Sequence, residues 1–177
     1  EGNANGYHIL NRNKPGTPGG LRLSYATLGA FIKYPKESLP TKPTTHVADK
    51  KYGVFQADIA HFMDVADSLG LQNSESNGTY HRHPLAYLVE AADDICYSII
   101  DFEDGINLGW ISEDHALEQL INLVRGSIKT STYNQLDTTS TRLSYLRSLA
   151  INTLIKDCIE IFMDSEELLL DGKLEKS

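Results

Sequence analysis

The chain has 177 residues, 41% of them hydrophobic, with 16 basic against 24 acidic side chains and a formal net charge of −8. That length suits one globular domain or a large part of one, and the acidic balance argues against a nucleic-acid surface as its main business. No apolar run is long enough to cross a bilayer and no signal peptide is visible, so a membrane role is not expected.

Residues 1 to 12 read as a helix, with Ala4, Ile9 and Leu10 apolar, followed by the punctuated loop NKPGTPGG. Leu21 to Lys33 reads as a second helix, ended at Tyr34-Pro35 because the residue before proline avoids helical dihedrals. A long loop then runs from Pro35 to Tyr52 and carries Lys36, Lys42, Lys50 and Lys51. Lys33 and one of Lys50 or Lys51 suit a polyphosphate, since an ammonium is a mobile point charge; Lys36 and Lys42 read as solvated. ADIAHFMDVADSLG is the next helix, closed by Gly70, and its His61 reads as structural beside Phe62 and Met63.

The stretch His83 to Ile106 is expected to be one long helix with two faces. Leu88, Ala92, Ile95, Ile99, Phe102 and Ile106 recur at helical spacing on one stripe. Glu90, Asp93, Tyr97, Asp101 and Asp104 fall opposite; Asp93, Tyr97 and Asp101 stand four residues apart and stack one above another. Stacked like charges repel, so this face calls for something cationic, a metal or a basic group, or for bulk counterions. An ordinary solvated face is the bland alternative. Apolar Val89, Cys96 and Ile100 on its flank suggest a helix more buried than a surface one. The two cysteines, Cys96 and Cys158, read as reduced core thiols of a cytosolic protein. Ser112 is expected to cap a helix over EDHALEQLINLVRG, and a last long helix over Thr141 to Leu170, carrying Arg142 and Arg147, to end in a charged tail.

EAADDICYSIIDFEDG resembles the last signature of the HD-domain deoxynucleoside triphosphate triphosphohydrolases, the dGTPase family. EGNANGYHIL and GLRLSYATLGAFIKYP resemble two further blocks in the same order, so the resemblance covers at least residues 1 to 110. It implies an all-α, HD-domain-like helical bundle around an H…HD…D metal site. The implied activity is hydrolysis of dGTP, or of dNTPs more broadly, to deoxynucleoside and tripolyphosphate. Asp93 would be the final metal ligand, for Mn, Mg, Fe, Co or Zn. Tyr97 would donate to a phosphate, Asp101 would accept from the deoxyribose 3′-hydroxyl, and Asn3, Lys33 and Lys51 would contact the nucleotide.

One departure matters most: no His-Asp dipeptide occurs in the chain. The first His and the HD pair, with the catalytic residues, are therefore expected upstream, in a part of the same protein that partners this one. Residues 1–110 are read as the C-terminal part of the catalytic core and 111–177 as a helical extension. The resemblance also implies a homo-oligomer, and the composition a cytoplasmic location. The alternative from another class is a non-catalytic helical module that senses nucleotides or assembles with a partner.

Overall fold

The computed structural model describes residues 1–16, 18–38, 50–73 and 79–174. Among them the fold is all-α, with two isolated β-bridges, Glu37 to Val54 and Asn73 to Tyr80. Lys42 lies outside the described residues. The chain forms two compact units, one of residues 1–90 with 165–177 and one of residues 91–164.

In the first unit, α1 (Gly2–Asn11) is capped by Glu1, whose carboxylate accepts from the Asn3 backbone N–H. α2 is shorter than expected, Tyr25–Phe31. The reason is local. Gly20 and Arg22 both have positive φ, at 60° and 51°, and Ser24 then caps the helix by accepting from the Thr27 N–H. α3 (Ile59–Leu69) follows a 3-10 turn and ends, as expected, on Gly70 in the left-handed conformation. α2 packs on α3. Tyr7, Leu28, Ile32, Val54, Phe62, Val65, Ala66 and Tyr80 form the core of this unit. Phe62 sits edge-on to Tyr7 and to Tyr80, the arrangement aromatic quadrupoles favour.

α4 (Pro84–Asn107) spans the length expected of it. Proline fits its first position, where an N–H would have no helical partner. The expectation of a buried flank is overturned: Val89 and Ile100 are exposed, and so is the Cys96 thiol. Cys158 is half-buried, and both thiols are free.

In the second unit, α5 (Glu113–Val124) has Ser112 as its cap, accepting from the His115 N–H. The loop after it holds a short α6 (Thr130–Tyr133). The last helix is two pieces, α7 (Thr139–Asp164) and α8 (Glu166–Leu170), interrupted at Ser165. α5 packs on α7. Leu120, Val124, Leu146 and Ala150 form this unit's core, with Ile99 and Phe102 of α4 against it. Arg147 pairs with Glu103, and Arg142 donates to the Leu136 carbonyl at 3.0 Å.

α8 and the residues after it complete the first unit. Leu169 is buried there, Gly172 lies against the His81 ring, and the Tyr87 hydroxyl donates to the Leu174 carbonyl at 3.1 Å.

Candidate functional site

The acidic face of α4 is formed as read. Asp93, Tyr97 and Asp101 are all exposed, Tyr97 to 66%, on a helix in which four residues rise about 6 Å. Among the described residues no three His, Cys, Asp or Glu side chains converge as a metal site.

Asn3, Lys33 and Lys51 belong to the first unit, which brings them into one neighbourhood through Glu1 and Tyr34. The Asn3 amide donates to the Glu1 carboxylate at 2.7 Å. This bond holds that carboxyl below its ordinary range against the opposing effect of burial, with lesser help from the Asn3 backbone N–H and the charge of Lys51. The Lys51 ammonium lies 5.8 Å from the centre of the Tyr34 ring. Lys33, half-buried, precedes that tyrosine in the chain.

Arg82 fixes this segment, and the sequence reading assigned it no role. Its side chain is fully buried, donates from Nε to the Lys33 carbonyl at 2.6 Å and from Nη1 to Glu90 at 2.5 Å. It lies over both the Tyr34 and the Tyr87 rings. The contact with Glu90 spans eight residues, beyond any helical neighbour rule, so no sequence periodicity signals it. Lys36, read as solvated, is only 6% exposed; its carbonyl accepts from the Gly53 and Val54 N–H groups and its own N–H donates to the Tyr34 carbonyl.

Two further pairs tie α1 to the start of α3. Tyr7, buried, hydrogen-bonds through its hydroxyl to His61 Nδ1 at 2.8 Å, which gives His61 the structural place expected of it. Burial, followed by the nearby Asp58 charge, pushes the Tyr7 hydroxyl well above its ordinary pKa. His8 Nδ1 stands 3.0 Å from the Asp58 carboxylate. Neither pair is visible in the sequence, because the partners are 54 and 50 residues apart.

The described residues thus form an all-helical chain, with an acidic, tyrosine-centred face on α4 and, in the first unit, a lysine-bearing segment held by a buried arginine. By sequence it belongs with the deoxyguanosinetriphosphate triphosphohydrolase-like proteins. It is 41% identical to such a protein from Synechocystis over the whole of this chain, and 36% identical to one from Pseudomonas aeruginosa over 98% of it. A Listeria monocytogenes protein of the same description is 30% identical over 89% of the chain. The chain spans about two fifths of the length of these relatives, 41%, 40% and 35% respectively. No family model matches it. Among the described residues no helix is long and apolar enough to cross a membrane.

Proposed function

We propose that this chain forms part of a metal-dependent dNTP triphosphohydrolase that converts dGTP, or dNTPs more broadly, to deoxynucleoside and tripolyphosphate. The observation that carries the reading is the similarity to dGTP triphosphohydrolase-like proteins across the whole chain, joined to the exposed Asp93–Tyr97–Asp101 face of α4. In this reading residues 1–110 are the C-terminal part of the catalytic core and 111–177 its helical extension. The protein works in the cytoplasm as a homo-oligomer.

Asp93 contributes one carboxylate to a divalent-metal site (Mn, Mg, Fe, Co or Zn) completed by residues outside this chain. When bound, such a metal lowers the pKa of water and polarises phosphoryl oxygens. Tyr97 donates its hydroxyl proton to a phosphate oxygen. Asp101 accepts from the 3′-hydroxyl and, by a close fit at that sugar edge, excludes a 2′-hydroxyl. Lys33 and Lys51 offset charge on the triphosphate, and Asn3 offers an amide to the nucleotide. Arg82 acts through Lys33, by fixing the backbone from which that side chain extends.

The test is a chimera in which this chain replaces the matching stretch of the Synechocystis relative, incubated with dGTP and Mn²⁺, with products separated by chromatography. Deoxyguanosine and tripolyphosphate, lost in Asp93→Ala, are expected. Pyrophosphate or single phosphates would sink the triphosphohydrolase reading. The second reading is a non-catalytic helical module that senses nucleotides. Saturable dGTP binding without turnover in the chimera would establish it instead.

A further inference from the structure

We propose that His8, oriented by Asp58, is a phosphate-binding residue at the far end of an oxyanion-binding strip that begins at Lys51. The proposal rests on the polyphosphate reading above and extends it to a residue that reading does not use.

The orientation follows from hydrogen-bond chemistry. An ionised carboxylate can only accept. Asp58 places both oxygens near His8 Nδ1, at 3.0 and 3.2 Å, and its side chain is 15% exposed. Nδ1 therefore carries the hydrogen, and Nε2 is turned away from Asp58. The Phe55 ring holds the imidazole from the side, with centroids 6.2 Å apart. The His8 side chain remains 39% exposed, so a ligand can reach it. In its protonated form the ring donates from Nδ1 to Asp58 and from Nε2 to an incoming oxyanion, a charge-assisted bond.

The strip follows from the run of the chain. The Lys51 charge acts on Glu1, at the start of α1. Phe55 and Asp58 meet His8, two turns along the same helix. Residues 51–58 thus run beside α1 in the same direction, and seven helical residues separate their ends by about 10 Å. An extended chain of three phosphates covers a comparable length. The Lys51 ammonium is a mobile point charge at one end; the His8 imidazole is a fixed donor at the other.

The probe is inorganic tripolyphosphate, titrated into the isotope-labelled protein at fixed pH and ionic strength. The ring nitrogens of His8 are assigned by comparison with His8→Gln. A saturable shift of His8 Nε2, and about tenfold weaker binding in His8→Gln, is the expected result. Asp58→Asn keeps an acceptor for Nδ1 but removes the charge behind the ring. It is expected to weaken tripolyphosphate binding several-fold while the His61 resonances, which report the Tyr7 contact, stay in place. Those resonances also certify that the His8→Gln protein is folded. An unmoved His8 with binding still weakened by Lys51→Ala would overturn the role of His8 and leave the polyphosphate reading standing. Equal shifts with sulfate would reduce the strip to a general ion atmosphere and overturn the proposal. No saturable tripolyphosphate binding in any variant would overturn both.

Discussion

Arg82 and Glu90 form a buried ion pair across eight residues, with the arginine side chain at 0% exposure and the glutamate at 17%. The same guanidinium reaches the Lys33 carbonyl, so one charged group joins the segment before α4, the first turns of α4 and the chain after α2. Its Nη2 is buried with no hydrogen-bond acceptor among the described residues.

Removing one partner of such a pair leaves the other charged and buried, which costs about 3–5 kcal/mol. Arg82→Ala is therefore expected to lower the urea midpoint of unfolding by one to a few molar, at a slope of about 1–3 kcal/mol per molar. Arg82→Lys is not a conservative rescue, because an ammonium cannot reproduce the fork that reaches both Lys33 and Glu90. A midpoint unchanged in Arg82→Ala would remove the arginine from its structural role.

Gly20 and Gly70 share a left-handed backbone, at φ 60° and 64°, in different surroundings. A Cβ on Gly20 would stand 2.1 Å from the Leu10 carbonyl oxygen, whereas one on Gly70 would meet nothing within 4 Å. Gly70→Ala should cost about 1 kcal/mol, the strain of the dihedral alone. Gly20→Ala should cost at least about 2 kcal/mol, because the backbone must also move. Equal losses in denaturant melts would show that the close approach at Leu10 does not matter.

Tyr7 makes stability fall in alkali. Its folded-state pKa lies above the ordinary value of 10, chiefly through burial, so the unfolded chain loses this proton first. The stabilisation is complete below pH 10 and is lost as pH rises from there toward the folded-state pKa. Tyr87, also raised by burial, acts in the same direction. Tyr7→Phe should be less stable at neutral pH by about 1 kcal/mol, the worth of its bond to His61. Its loss between about pH 9 and about pH 11 should be shallower than the wild type's. Urea midpoints measured across that range check both signs.

Asp101 bears on the choice of sugar. If its carboxylate accepts from the 3′-hydroxyl in a close-fitting site, Asp101→Ala should lower kcat/KM for dGTP by about tenfold or more in the chimera. The preference over GTP should shrink with it. Equal hydrolysis of GTP and dGTP by the unmutated chimera would count against this role from the start.

α3, α4 and α5 were legible because their signals are local: Gly70 after the last periodic residue, Pro84 at a first turn, Ser112 before an acidic first turn. The acidic stripe of α4 was legible for the same reason. α2 was read four residues too early, because the positive φ of Arg22 has no marker in residue type. Ser165 was missed as a break because the helical pattern continues across it. The flank of α4 was read as buried since apolar residues are usually covered, and here Val89, Cys96 and Ile100 are not. Contacts between distant residues, Arg82 with Lys33 and His8 with Asp58, leave no periodic trace at all.

The first unit is built from the beginning of the sequence and from its residues 165–174, with the whole second unit strung between them. During synthesis residues 91–164 leave the ribosome as one continuous piece, able to form their core while the first unit still lacks the turn that seats Leu169 and meets His81 and Tyr87. The second unit can therefore close before the first, although the first begins earlier in the chain. A nascent chain halted once residue 164 has cleared the exit tunnel would display a closed second unit beside a first unit that is still open to proteases.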